Sequence, residues 1–312
     1  MEYLLLVGGL VTLIVAGELL VRGAVGIALK FDISTLVIGM TVVAFGTSAP
    51  ELLVSVKAAL ENHPEIAVGN VLGSNIANIA LVLGLTTIVL PINVRKSTIR
   101  IDWPVMMLST FAFFLFILDG EMQWWEGTLY VIALVVYNVM MIKNSKISID
   151  EDAEKILDKE ADEPVNFVKS IGFAIAGVVG LAFGANWLLD GAIHIATNFG
   201  VSEYVIGATI VAFGTSIPEL VTSIVAAFKK ETDISVGNLI GSNIFNLLAV
   251  LGITSIVKEI PISLQVQNED IYWVLGVSFL IFPLMFFGKR ISRLKGVILA
   301  MSYLAYIYFV IK

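Results

Sequence analysis

Residues 37–84 read VIGMTVVAFGTSAPELLVSVKAALENHPEIAVGNVLGSNIANIALVLG, and residues 205–252 read VIGATIVAFGTSIPELVTSIVAAFKKETDISVGNLIGSNIFNLLAVLG. The two stretches align without a gap at an offset of 168, with 28 identities in 48 pairs. The same offset lays Leu19-Leu20-Val21-Arg22-Gly23-Ala24 on Trp187-Leu188-Leu189-Asp190-Gly191-Ala192. The duplication therefore covers whole halves of the chain and sets its architecture.

The medium in which those halves fold follows from composition. Of 312 residues, 58% are hydrophobic and 14% charged, and the mean hydropathy is +0.93. A water-soluble domain carries about a quarter charged residues, so this chain lacks the surface for water. A bilayer core about 30 Å thick needs roughly 20 apolar residues per helix. Ten such runs are expected near 3–22, 35–60, 66–90, 101–118, 125–142, 167–190, 204–228, 235–257, 271–288 and 292–311. The fold class is thus an all-α polytopic membrane protein. Because five is odd, the second five-helix half enters the membrane from the opposite side, giving the inverted-topology repeat on which many secondary transporters are built.

Basic residues orient the chain. With the N-terminus outside, inner loops and helix ends hold 16 of the 19 Lys and Arg residues, and only Lys57, Lys258 and Lys312 stay outside. The positive-inside rule then puts both termini outside a cell membrane, with Trp124, Trp125 and Trp273 at the interfaces. The start Met1-Glu2-Tyr3 has no basic n-region, which reads as a first membrane helix rather than a cleaved leader. The expected organisation is a first repeat at 1–143, an acidic cytoplasmic linker at 144–165 and a second repeat at 166–312. The linker is rich in Asp and Glu but has no Gly, so it lacks the turn of a calcium-binding EF-hand loop and reads as a solvated connector, with a short amphipathic helix near Ala153–Leu157.

Several function classes drop out. There is no cysteine, which removes disulfides, thiolate metal sites and cysteine nucleophiles. Two histidines, His63 and His194, make no imidazole cluster. The net charge of −7 gives no reason to expect nucleic acid. A membrane hydrolase using Ser48 or Ser216 would lack a base, because both histidines fall near span ends. No organic cofactor and no obligatory protein partner is indicated beyond the lipid bilayer.

Glu51 and Glu219 lie mid-span in the same setting, Ala-Phe-Gly-Thr-Ser-x-Pro-Glu. An ionisable group at that depth costs about 2.5–3.5 kcal/mol or more on insertion scales, so it marks function. Pro50 and Pro218 each remove a helical hydrogen bond, which is expected to break both helices and bare the carbonyls of Gly46 and Gly214. A plainer reading is that Ser48-x-x-Glu51 and Ser216-x-x-Glu219 are capping boxes where each helix restarts. Asn70, Ser74 and Asn78 recur four residues apart as one polar stripe, repeated by Asn238, Ser242 and Asn246. Gly69 and Gly73 add a small-xxx-small pattern, and the stripe alone could be interhelical glue. Taken together, two carboxylates, six hydroxyls, amides and carbonyls make an oxygen-rich shell suited to hard cations such as Ca²⁺. Soft transition metals lack their sulfur and nitrogen ligands here.

The GTSAPE and GTSIPE segments at 46–51 and 214–219, with the paired GSN motifs, resemble the two alpha repeats of the sodium/calcium exchanger family, prokaryotic type, within the calcium:cation antiporters. The resemblance implies that helices 2, 3, 7 and 8 enclose the site while helices 1 and 6 slide across them. It implies Glu51 and Glu219 as central Ca²⁺ ligands shared with Na⁺. Thr47, Ser48, Ser74, Thr215, Ser216, Ser242 and the carbonyls of Ala44 and Ala212 would line the ion sites, with Asn78 and Asn246 at the centre. Potassium-dependent relatives carry Asp where this chain has Asn246, so potassium-independent exchange is expected. The implied function is electrogenic antiport of Ca²⁺ against Na⁺ by alternating access. Proton- or potassium-coupled antiport and a passive cation channel are the competing expectations.

Overall fold

The computed structural model describes residues 2–145, 166–199 and 214–311. The expected acidic connector, apart from its first two residues, and the helix near Ala153–Leu157 lie outside the described residues, as does Ala212. Nine described helices are long and apolar enough to cross a bilayer: α1 Glu2–Phe31, α2 Thr35–Leu60, α3 Ile66–Val89, α4 Thr98–Asp119, α5 Trp124–Lys143, α6 Phe167–Asn198, α8 Thr232–Val257, α9 Val266–Lys289 and α10 Arg293–Val310. Between α6 and α8 runs the shorter apolar helix α7, Ile217–Phe228. The ten expected spans are therefore matched, except that residues 204–213 of the seventh lie outside the described residues.

Two helices exceed their expected lengths. α1 has 30 residues and α6 has 32, or about 45 Å each at 1.5 Å per residue, well beyond the hydrocarbon thickness. The expected ends at Arg22 and Asp190 are overrun. On α1, Arg22 is neutralised along its own helix by Glu18, 2.6 Å away. The two helices run backbone against backbone. A Cβ on Gly9 would stand 2.6 Å from Leu188 N, and one on its repeat mate Gly177 would stand 2.6 Å from Leu20 N. Only glycine permits that approach, the device that joins helices in lipid where apolar burial gives no net drive.

Short strand pairs show the inversion directly. Strand β1 (Ile92–Asn93) pairs antiparallel with β4 (Arg290–Ile291), and β2 (Glu121–Met122) with β3 (Ile260–Pro261). Each pair takes one strand from each half, and the two pairs sit at opposite ends of the bundle. The β1·β4 end also holds the ion pair of Arg95 with Asp233, at 2.5 Å. Lys258, beside β3, bonds Asn62 at the other end. Thus α2 runs towards the Asn62 end, while its repeat mate α7 runs towards the Asp233 end. The repeats are antiparallel.

Burial identifies the centre. In α3 and α8, 72% and 78% of the most apolar stretch is buried, against 17% in α10. Large apolar side chains such as Leu4, Leu108, Leu118 and Phe279 face outward, as a lipid-exposed surface requires. One apolar cluster joins α2–α5 with α8–α10. A smaller one fastens α1 and α6 to α2 and α7 through Leu13, Leu20, Leu181 and Ile217.

Candidate cation site

At the bundle centre the polar stripes of α3 and α8 meet the Glu-bearing turns of α2 and α7. Thr47, Ser48, Glu51, Ser74, Asn78, Ser216, Glu219, Ser242 and Asn246 are all buried; Thr215 is half-buried. Ala44 is buried one turn before Ser48, and its carbonyl accepts from Thr47 Oγ1 at 3.3 Å. All the expected site residues that are described, apart from the half-buried Thr215, therefore lie within the buried core.

The contacts cross between halves. Ser48 Oγ donates to Glu219 Oε1 at 3.2 Å. Thr47 Oγ1 donates to Asn238 Oδ1 at 3.0 Å and lies 3.4 Å from Ser242 Oγ. The mates of that last pair, Thr215 and Ser74, are also 3.4 Å apart. Ser48 lies one turn before Glu51 in the same helix, so its bond to Glu219 brings the two carboxylate-bearing turns side by side.

Around this centre the stripe asparagines brace the glutamate helices. Asn70 Nδ2 donates to Ser55 Oγ at 3.1 Å, and Asn238 Nδ2 donates to Ser223 Oγ at 3.2 Å. Both amides also reach the backbone carbonyl of the adjacent glutamate, Glu51 at 3.4 Å and Glu219 at 3.5 Å. Asn246 Nδ2 donates to Asn75 Oδ1 at 3.1 Å, and Asn75 Nδ2 to the Asn243 carbonyl at 3.2 Å. Ser55, Ser223, Asn75 and Asn243 were not among the expected site residues. Each is a polar identity at the 168 offset, a signal that following every such pair would have found.

Helix irregularity occurs here, as it does at the starts of α4 and α9. Wide π-helical turns occur at Gly39–Val43, Ala77–Val82 and Asn246–Leu251, the last two at repeat-related positions on either side of the centre. Such turns re-aim side chains and cluster at functional sites. The close approach expected of the small-residue pattern is seen in the second copy, where a Cβ on Gly241 would lie 2.7 Å from Met40 Cα. The partners that repeat symmetry would bring to Gly69 and Gly73 fall among residues 204–212, outside the described residues.

Two expectations need correction. Pro50 does not end its helix: α-helix runs from Ala44 through Leu60 with Pro50 inside. Neighbouring helices hold that segment, so the lost bond is tolerated. Only α7 starts afresh, with Pro218 in its first turn. The capping-box reading fails for both motifs. Ser48 is interior to its helix, and Ser216 makes no side-chain cap.

What remains is a set of buried oxygens with no hydrogen-bond partner among the described residues: both of Glu51, Oε2 of Glu219, Oγ of Ser216, and Oδ1 of Asn78 and Asn246. Each such group costs about 1–3 kcal/mol, more when charged. Six oxygens with two carboxylates fit a hard cation, whose preferred shell is all oxygen. Among the described residues no group of three or more His, Cys, Asp or Glu gathers as a metal cluster. The two carboxylates stand alone among neutral oxygens.

Comparison with known proteins gives the chain's relatives. The family model described as sodium/calcium exchanger protein matches residues 1–143 and 169–312. The chain is 38% identical to the candidate antiporter CaxA of Alkalimonas amylolytica over 96% of this chain and 95% of that one. It is 28% identical to the sodium/calcium exchanger MaX1 of Methanosarcina acetivorans over 98% and 97%. A solved structure of the sodium-calcium exchanger NCX_Mj superposes with a TM-score of 0.84 at 33% identity, covering 99% of this chain and 98% of that one.

Proposed function

The chain belongs to the sodium/calcium exchanger protein family, and from that premise we propose that it is an electrogenic, potassium-independent antiporter exchanging Ca²⁺ for Na⁺ by alternating access. It is a multi-pass transporter and not an enzyme. The observation that carries the finer reading is the set of unpartnered buried oxygens shared by the two halves. In this reading Glu51 and Glu219 hold the cargo cation between them. Thr47, Ser48, Ser74, Thr215, Ser216, Ser242, Asn78, Asn246 and the carbonyls of Ala44 and Ala212 complete the Ca²⁺ and Na⁺ sites. The organisation is the first repeat at 1–143, the connector at 144–165 and the second repeat at 166–312.

The chemistry of coupling follows from charge. Two ionised glutamates carry −2, which one Ca²⁺ or two Na⁺ neutralise. An empty pair of charges in a low-dielectric centre is costly, so the protein resists crossing the membrane unloaded. That penalty makes exchange, rather than leak, the favoured cycle. A third Na⁺, held by the hydroxyls and carbonyls alone, makes the cycle electrogenic. The neutral amide of Asn246 removes the extra charge a potassium site would use.

The α1–α6 pair is the moving element in this proposal. Its glycine seam keeps the two helices together as one body. Its nearest glycine contacts with the core are to side chains: Gly46 faces Val178, and Gly17 faces Val221. Such contacts slide more readily than a backbone-to-backbone seam. The 16-to-3 distribution of basic residues supports both termini outside, which places the Arg95–Asp233 end in the cytoplasm.

Reconstitution in liposomes with Na⁺, K⁺ and H⁺ gradients imposed singly tests this reading. Ca²⁺ uptake driven by outward Na⁺ alone, with a membrane-potential dependence, is expected. Uptake requiring K⁺ or H⁺ would overturn the coupling assignment. Gradient-independent Ca²⁺ leak would overturn antiport in favour of a channel.

A further inference from the structure

The polar stripes of α3 and α8 meet at Asn75 and Asn243, buried mates at the 168 offset. Their side chains behave differently. Asn75 Nδ2 crosses between the helices and donates to the Asn243 carbonyl at 3.2 Å, whereas Asn243 Nδ2 folds back onto the Leu239 carbonyl of its own helix at 2.7 Å. A carbonyl meets only a donor, so these two bonds fix which way each amide is turned. Asn75 is left to present Oδ1, and Asn246 Nδ2 donates to it at 3.1 Å. Asn243 is left to present Oδ1 as well, but no donor among the described residues meets it. The donor that the repeat would supply is Nδ2 of Asn78, the mate of Asn246, and that atom too is buried without a partner among the described residues.

One bond is thus made, and both atoms of its mirror image are left bare inside the core. Polar glue between helices would satisfy the two copies alike, because each buried group left unmade keeps its full desolvation cost. The centre leans in the same sense: Ser48 bonds Glu219, while the mates Ser216 and Glu51 have bare side-chain oxygens. Asn78 and Asn246 each lie in a π-helical turn, a local widening that lets a side chain be re-aimed. Resting on the alternating access proposed above, we propose that Asn75 and Asn243 are positioning residues that take turns. Asn75 orients the Asn246 amide in this state and leaves its bare Oδ1 for the cation. In the opposite state Asn243 reaches the Asn75 carbonyl and orients Asn78, while Asn75 folds back onto the Val71 carbonyl. Neither residue is a cargo ligand. The pair ties the aim of the central amides to the side on which the protein is open.

The state is read from thiol labelling at Ala58→Cys and at its mate Ala226→Cys, in a chain with no cysteine of its own. Asn75→Ala removes the bonds of this state and should lower the Ala58-to-Ala226 labelling ratio about threefold or more, as the loss of one net hydrogen bond implies. Asn243→Ala removes the bonds of the opposite state and should raise the ratio by a similar factor. The double variant should return it close to the wild-type value. Asn75→Ser and Asn243→Ser, each too short to reach across, carry the same expectation and serve where alanine prevents folding. Shifts in the same direction, or a ratio unmoved while both variants lower the unfolding temperature alike, would overturn the proposal and leave the asparagines as packing. Na⁺-driven Ca²⁺ flux by the wild type in the same liposomes reports the exchange reading separately: its absence overturns that reading, whereas the labelling shifts decide this one.

Discussion

The two glutamate helices carry nearly the same words and sit in different sentences. AFGTSAPE in α2 is a continuous helix through Pro50, whereas AFGTSIPE leads into an α7 that begins only at Ile217. Glu219 receives the Ser48 hydroxyl, but the mirrored bond from Ser216 to Glu51 is missing, and both Glu51 oxygens are unpartnered among the described residues. The peripheral pair repeats the imbalance. Glu18 of α1 is 3.2 Å from Lys229 at the end of α7, while the mates of those residues are Asn186 and Glu61, which form no such ion pair. Under the proposed alternating access, such asymmetry of contacts in a symmetric sequence marks one of two states, the other having the roles of the halves exchanged.

The largest expected effect breaks the centre itself. Glu51→Gln and Glu219→Gln should each abolish Na⁺-driven Ca²⁺ flux, at least a hundredfold, while the protein elutes as a folded species; wild-type flux from either would refute shared cargo binding. Next comes the seam. Gly177→Val must push α6 off Leu20, where even a Cβ would come within 2.6 Å of backbone, and overpacking of this sort costs about 1–3 kcal/mol or more. Gly172→Ala, on the same helix with nothing within 4 Å of its Cβ position among the described residues, should leave the unfolding temperature unchanged. A thermal shift measurement that ranked the two variants alike would contradict the packing.

Smaller effects sharpen the difference between the halves. Ser48→Ala removes a hydroxyl donor to a carboxylate, a contribution of about 1.5–3 kcal/mol, and should raise the Ca²⁺ concentration for half-maximal flux about tenfold. Ser216→Ala should raise it less. The smallest effect concerns Lys229→Ala, because an ion pair between partly exposed groups contributes little. The chain has no cysteine, so single reporters are clean: Ala58→Cys towards the Asn62 end of α2 and its mate Ala226→Cys towards the Asp233 end of α7. The Ala58 site, 7% exposed against 0% for Ala226, should label faster, and Lys229→Ala should narrow the ratio a few-fold. A ratio unmoved by the substitution would remove the pair from any role in holding this state.

Much of this was legible in the sequence because membrane folding leaves few choices. Backbone polar groups must be satisfied within each span, so apolar runs count helices, and the 168-residue offset supplied both the inversion and the paired glutamates. What stayed hidden depended on the partner across the bundle. The lengths of α1 and α6 were underestimated because Arg22 and Asp190 read as ends. Pro50 read as a break because its neighbours, not its own residues, hold the turn together. The Asn75–Asn246 bond and the Ser48–Glu219 bond link residues 171 apart. Above all, a repeat states what the halves share and is silent on which half currently has the better contacts.

The central claim is that two acids from oppositely inserted halves hold one cation together, and calorimetric Ca²⁺ titration of wild type, Glu51→Gln, Glu219→Gln and the double variant tests it most directly. The account predicts one Ca²⁺ bound between the pair, lost on either single substitution, with the double variant no worse than the singles. Two independent sites, each surviving removal of the other glutamate, would contradict it.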